Sequence, residues 1–216
     1  MPSSFLPATL FTSTTPLNAE TWSEIDTPLN QIAGTDEAGR GPLAGPVVAA
    51  AVLLPDDHQL EGLTDSKKLS EARREALFPQ IQQQATAWAI TEASVAEIDQ
   101  LNILQASLLA MRRAIQQIAS PEIVGVLVDG NRCPGSKLPE RAVIKGDGLV
   151  ASIAAASVLA KVHRDQLLVE LDQQYPDYGF AQHKGYPTRQ HVEAINKHGP
   201  CHEHRMSFKP LKNLKD

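Results

Sequence analysis

The sequence predicts an α/β domain built on a mixed sheet. Two observations carry that reading. Strand-type segments dominate the first part of the chain and helix-type segments the later part. Residues 47–54, Val-Val-Ala-Ala-Ala-Val-Leu-Leu, form an apolar run with no polar alternation, as expected of a central strand covered on both faces. At 216 residues there is room for one domain, or one domain with an appendage.

Taken in order, residues 1–28 are rich in Ser, Thr and Pro, and the first seventeen carry no charged side chain. A secretory signal needs a basic start and a continuous apolar core, and a mitochondrial transit peptide needs arginine; this segment has none of these. It is read as a flexible extension outside the fold. Residues 32–36 form a short strand and 47–54 a second, stopped by Pro55-Asp56-Asp57. Ser70 opens a polar-faced helix over 71–84. Residues 85–91 read as a strand, and Ser94 to Glu97 has capping-box spacing. A helix over 102–118 follows, with Ile103, Leu104, Leu108, Met111 and Ile115 on one face. Residues 123–128 and 141–144 add strands, 149–171 a long helix whose first half is rich in Ala and Ser, and 188–197 a last helix. The division expected is an extension over 1–28, a core over 29–172 and a C-terminal helical appendage over 173–216.

No stretch approaches the ~18 apolar residues of a membrane helix. Cys133 and Cys201 are the only cysteines and lack metal-ligand spacing, which points to free thiols in a reducing, cytoplasmic compartment. The net charge of −5 argues against broad non-specific nucleic-acid binding, but clustered catalytic carboxylates would themselves make the total negative.

The chemistry gathers around Gly34-Thr35-Asp36-Glu37-Ala38-Gly39-Arg40-Gly41. Successive strand side chains point to opposite faces, so Asp36 and Glu37 reach one metal only if the strand ends or bends between them. Asp129 and Asp147 likewise sit beside glycine at element ends. Read alone, Asp147 serves equally as a helix N-cap, Asp129 as a turn residue and Lys67-Lys68 as a solvated pair. Together, four crowded carboxylates are hard to keep ionised without a cation, and carboxylate oxygens suit Mg2+ or Mn2+. His183, His191, His198, His202 and His204 fit no zinc spacing and are read as structural or solvated.

These motifs resemble ribonuclease HII, the type 2 ribonuclease H family. The resemblance is carried by Asp36 to Gly41, Asp65-Ser66-Lys67-Lys68-Leu69, Val128-Asp129-Gly130, Lys145-Gly146-Asp147, Lys161 to Asp165, His183 to Thr188 and His204 to Phe208. It implies a ribonuclease H-like mixed sheet flanked by helices, with a C-terminal helical appendage. It implies Mn2+- or Mg2+-dependent endonucleolytic cleavage of RNA in RNA–DNA hybrids and at single ribonucleotides in duplex DNA. Two metal ions, 5′-phosphate and 3′-hydroxyl products and a place in ribonucleotide excision repair come with it, the chain acting as a monomer on its nucleic acid. Asp36, Glu37, Asp129 and Asp147 match the catalytic metal-binding carboxylates. Gly39, Arg40 and Gly41 match the loop that senses the 2′-hydroxyl, and Tyr186 the tyrosine that stacks at the RNA–DNA junction. Lys67, Lys161, Arg164 and Lys184 are candidate substrate contacts; with Arg40, Lys68 and Lys145 they are expected to form a basic face. Three rival readings remain: another nuclease or recombinase of the same broad fold, a non-catalytic hybrid-binding module, and a sugar-phosphate binder using the glycine loop.

Overall fold

The computed structural model describes residues 27–214 and, before them, residues 11, 15–18, 20–21 and 25. Five strands form one mixed sheet: β1 (Ile32–Ala38), β2 (Val47–Leu53), β3 (Ala87–Ala93), β4 (Gly125–Asp129) and β5 (Glu140–Val143), in the order β3-β2-β1-β4-β5. The first three strands pair antiparallel, with Asp36 opposite Ala50. β4 and β5 join them parallel, with Thr35 opposite Val128 and Asp129 opposite Val143. The helices are α1 (Glu71–Gln84), α2 (Val95–Leu101), α3 (Ile103–Ile118), α4 (Ala151–Gln174), α5 (Phe180–His183) and α6 (Arg189–His198). This is the ribonuclease H-like arrangement expected, with helices closing the C-terminal part. No helix among the described residues is long and apolar enough to cross a membrane.

Local chemistry accounts for most boundaries. Ser70 caps α1 by accepting from the Arg73 N–H, and Ser94 with Glu97 closes a reciprocal capping box on α2. The helix expected over 102–118 is preceded by a second one. Asn102, at φ 73°, ends α2 and turns its side chain to accept from the N–H groups of Leu104 and Gln105, which starts α3. The long helix begins at Ala151 rather than 149, because residues 146–148 form a separate 3-10 turn and Val150 is the N-cap. Asp147 lies in that turn and does not cap α4.

α3 covers one face of the sheet, bringing Ala106, Ala110, Met111, Ala114 and Ile115 against Ala49, Ala51, Val126 and Val128. α4 and α1 cover the other, with Ala155, Ala156, Leu159, Leu77 and Ile81 against Val48, Ala50 and Val52. β2 is buried along its whole length, as its unbroken apolar run requires. The small residues of α4 let it lie almost backbone to backbone on β1. A Cβ added at Gly34 would stand 2.3 Å from both the Ile153 nitrogen and the Ser152 carbonyl carbon.

The extension expected to lie outside the fold contributes at least Leu17 to it. Leu17 bridges the free edge of β5, donating to Ala142 and accepting from Ile144, both at 2.7 Å. Its side chain is buried with Ile32, Leu127, Val143, Val150 and Ile153, worth about 2 kcal/mol for a leucine. An apolar residue at the right distance from a strand edge is not distinguishable by composition from the polar segment around it. The rest of residues 1–26 lies largely outside the described residues.

Gly34→Ala forces α4 off β1, since the two nearest of the three clashing atoms are backbone. We expect a loss of about 3 kcal/mol in urea denaturation. A change within ~0.5 kcal/mol would show that the contact between β1 and α4 is looser than described.

Candidate active site

Three carboxylates meet on the α4 side of the sheet. Asp36 follows Ile32 and Gly34 on that face of β1, and Asp129 follows Leu127 on that face of β4. Both stand near the carboxyl ends of the central parallel strands, where open α/β sheets gather ligands. Asp147 is delivered from the turn before α4, and its N–H donates to Asp129 Oδ1 at 3.3 Å. One oxygen from each of the three lies within 4.8 Å of the others.

Glu37 was expected as the fourth member of this group and diverges from it. β1 continues through Ala38, so no bend separates Asp36 from Glu37, and the alternation turns the glutamate to the other side. There its Oε1 pairs with Arg40 Nη1 at 3.2 Å. It remains close enough for its charge to act on both Asp36 and Asp129.

The electrostatics are those of a site holding too much negative charge. Burial, then the charges of Glu37 and Asp129, push Asp36 well above the usual carboxylate range. Burial and Glu37 raise Asp129. Burial, Asp129 and Asp65 raise Asp147 to about 6. Lys67 stands among them: its partial burial works to lower its pKa, but Asp36, Asp147, Asp65 and Asp129 together outweigh that and raise it. A set of hard oxygen donors with a single half-buried lysine among them fits a divalent cation such as Mg2+ or Mn2+. Asp36, Asp129 and Asp147 are the residues placed to hold it.

Two further residues act at this site: Asp65, from the Asp65–Leu69 motif though with no role expected of it, and Ser157, which no motif marked. Asp65 hydrogen-bonds Asp147 and raises its pKa, while accepting from the Lys67 N–H at 2.9 Å. The Ser157 hydroxyl, paired with that of Ser66 at 2.8 Å, acts to lower Asp36. Ser157 reads in the sequence as one more small residue of α4. The cleft around the carboxylates is lined by Lys67, Lys68, Gly130, Asn131, Ile144 and Lys145.

The Gly39–Pro46 loop beside the cleft is held from beneath by two buried arginines. Arg205 donates to the carbonyls of Gly39 (2.7 Å), Arg40 (3.2 Å), Pro42 (2.8 Å), Gly45 (2.9 Å) and Pro46 (3.1 Å). Arg164 donates to those of Ala44, Pro46 and Lys184. Gly39 has φ 97°, and a Cβ there would lie 2.0 Å from Arg164 Nε, so only glycine fits. Among the described residues no acceptor within the chain meets the N–H groups of Arg40 and Gly41. Tyr186 is 44% exposed, and its ring lies 3.5 Å from where a Gly41 Cβ would be.

Three of the expected substrate contacts are engaged elsewhere. Arg164 is 1% exposed and spends its guanidinium on the loop carbonyls, which replaces a phosphate contact with a scaffold role. Lys161 pairs with Asp165 at 2.6 Å, on the side of α4 that faces α1 and near Arg74. Lys184 donates to the Ala181 carbonyl and lines the groove between α1 and α4. The basic face therefore reduces to Arg40, Lys67, Lys68 and Lys145. Of the five histidines, His183, His191 and His204 are buried together, His198 lies 4.0 Å from Asp177 and His202 is exposed.

Comparison with known proteins places these features in context. The family model described as Ribonuclease HII matches residues 33–211. The chain is 59% identical over 182 residues to the ribonuclease HII of Vibrio vulnificus (strain YJ016), covering 84% of this chain and 87% of that protein. It is 58% identical over 180 residues to that of Albidiferax ferrireducens, covering 83% and 86%. Among solved structures, the ribonuclease H2 of Pyrococcus horikoshii OT3 superposes with a TM-score of 0.70 at 26% identity, over 85% of this chain and 96% of that one.

A carboxyl whose pKa is higher in the folded than in the unfolded chain favours folding only while protonated. For Asp147 that contribution is complete below about pH 4 and is lost as the pH rises through about 6. Metal-free protein should therefore lose stability between pH 4 and 7, by about 1.5 kcal/mol from this group once solvent in the cleft is allowed for. Asp147→Asn should lack that component, and added Mg2+ should stabilise the parent more than the variant. Parallel pH–stability curves for the two proteins would contradict the crowding described here.

Proposed function

The chain belongs to the ribonuclease HII family, and from that premise we propose how its own residues cut their substrate. It is a ribonuclease H, an endonuclease that hydrolyses RNA in RNA–DNA hybrids. The finer reading is cleavage on the 5′ side of single ribonucleotides embedded in duplex DNA as well. The observation that carries it is the juxtaposition of Asp36, Asp129 and Asp147 with a clamped loop whose N–H groups at Arg40 and Gly41 are open.

Held by Asp36, Asp129 and Asp147 with Glu37 beside them, a pair of Mg2+ or Mn2+ ions would supply Lewis acidity at the scissile phosphate and a more acidic attacking water. The remaining work belongs to the chain. Lys67 offsets carboxylate charge and presents an ammonium to the phosphate; Lys68 and Lys145 line the cleft, and Arg40 meets the nucleic-acid backbone from the adjoining loop. The 2′-hydroxyl is what distinguishes RNA from DNA at a given sugar, and it is both donor and acceptor. Backbone groups of Gly39, Arg40 and Gly41 read it, since glycine admits close approach and Arg205 fixes the carbonyls of Gly39 and Arg40. Tyr186 stacks on the neighbouring deoxyribose. The bond broken is that between phosphorus and the 3′-oxygen of the preceding nucleotide, which leaves a 3′-hydroxyl there and a 5′-phosphate on the ribonucleotide.

In this reading residues 29–172 are the catalytic core and 173–216 an appendage that braces the loop, and the enzyme works as a cytoplasmic monomer in ribonucleotide excision repair. Two free cysteines suit that compartment.

The test is a duplex with one ribonucleotide, compared with a long RNA–DNA hybrid, each with Mg2+, with Mn2+ and with chelator. Cleavage of both substrates, dependent on the ion and 5′ of the single ribonucleotide, is expected. Tyr186→Ala should reduce cutting at the single ribonucleotide about tenfold and affect the long hybrid less, whereas Tyr186→Phe should retain most activity. Refusal of the single ribonucleotide, or equal losses on both substrates with Ala, would overturn the finer reading.

A further inference from the structure

Three buried histidines lie behind Tyr186, and the hydrogen bonds around them leave one assignment of protons. The Cys201 N–H donates to His204 Nδ1 at 2.9 Å, so that nitrogen accepts and the ring proton is on Nε2. His204 Nε2 faces His191 Nε2 at 3.1 Å, so His191 accepts there and carries its proton on Nδ1. His191 Nδ1–H then donates to the Tyr186 carbonyl at 2.9 Å. Beside them, the Gly185 N–H donates to His183 Nδ1 at 3.2 Å, and His183 Nε2–H donates to the Tyr178 carbonyl at 2.8 Å. His183 and His191 stack with ring centroids 4.4 Å apart.

The relay joins two halves of the substrate site. At one end is the backbone of residues 184–186, whose remaining polar groups are also held: the Lys184 carbonyl by Arg164 and the Gly185 carbonyl by the Leu43 N–H at 2.7 Å. At the other end His204 bridges to Ala44 and is followed directly by Arg205, which clamps Gly39, Arg40 and Pro42. Neither histidine touches the cleft. We propose that His191 and His204 are positioning residues: a neutral two-histidine relay that sets the Tyr186 ring against the Gly39–Gly41 loop and so fixes where the junction sugar sits. This rests on the reading of Tyr186 as the stacking residue.

A proton added to either ring would oppose two donors, at Cys201 N–H or between the two Nε2 atoms, so the relay works only when both rings are neutral. Burial pushes both histidines down, His204 to about 4 with His191 adding to the effect. Both rings are essentially inaccessible, and the Cys201 thiol, 3.1 Å from His204 Nδ1, lies beside the same accepting nitrogen.

The experiment uses His204→Phe, which keeps the ring packing and breaks the relay, and His204→Gln, which keeps an N–H donor within reach of His191 Nε2. Each is measured on the single-ribonucleotide duplex at a temperature well below its own melting transition, alone and combined with Tyr186→Ala. We expect His204→Phe to lose about tenfold in kcat/KM, His204→Gln to recover most of that loss, and neither to add more than twofold to Tyr186→Ala. In parallel, imidazole 15N shifts of the parent protein should show fixed tautomers, Nδ1–H on one ring and Nε2–H on the other, at pH 6. Multiplicative losses in the Tyr186→Ala background, equal losses for Phe and Gln, or averaged tautomers would overturn the relay while leaving the stacking reading intact. Wild-type cleavage by Tyr186→Ala would overturn the stacking reading and the relay's purpose with it.

Discussion

Arg205 makes five hydrogen bonds with its guanidinium, all to backbone carbonyls of residues 39–46. A buried cation without a carboxylate is expensive unless every donor finds an acceptor. Here the requirement is met by bending one loop around the charge, so the loop's shape and the arginine's burial are a single constraint. Burial lowers Arg205 to about 9 and Arg164 to about 10, which still leaves both cationic near neutral pH. Gly39 is glycine because Arg164 occupies the space its side chain would need. The C-terminal segment is therefore bound to the core by charge–dipole contacts as well as by the apolar cluster of Leu43, Leu168, Phe180 and Ile195.

The cleft beside that loop has the opposite character. Asp36, Asp129 and Asp147 are held together against their own repulsion by sheet pairing and by the turn that leads into α4. The close approach of α4 to β1 at Gly34 makes this possible, because it brings the start of the helix down to the level of the strand ends. The protein thus keeps its surplus positive charge beneath the loop, paired with dipoles, and its surplus negative charge in the open cleft. A cationic ligand is drawn to the second and has nothing to exchange with the first.

What the sequence made legible was local. Strand runs, the Ser70 cap, the Ser94–Glu97 box and the start of α6 at Thr188 depend on residues within a few positions of one another; the caps formed where expected and the strands within two residues of their expected ends. The shared site of Asp36, Asp129 and Asp147 was legible through joint motifs rather than through any one of them. Glu37 stands outside the three-oxygen cluster because β1 runs on through Ala38, and residue identity does not settle where that strand ends. Arg164 and Lys161 look alike on a polar stretch of α4. Arg164 is buried because its acceptors, Ala44 and Pro46, lie about 120 positions away in the chain. Asp65, Ser157 and the histidine relay are likewise products of distant segments meeting.

The bridge made by Leu17 bears on how this protein behaves among its own copies. β5 ends the sheet on the side of the cleft, and an unpaired strand edge recruits strands from other chains. Leu17 occupies the Ala142 carbonyl and the Ile144 N–H, the two groups through which such pairing would begin next to the active site. Leu17, which precedes the sheet in the chain, thus covers that stretch of the β5 edge and occupies its hydrogen-bonding groups.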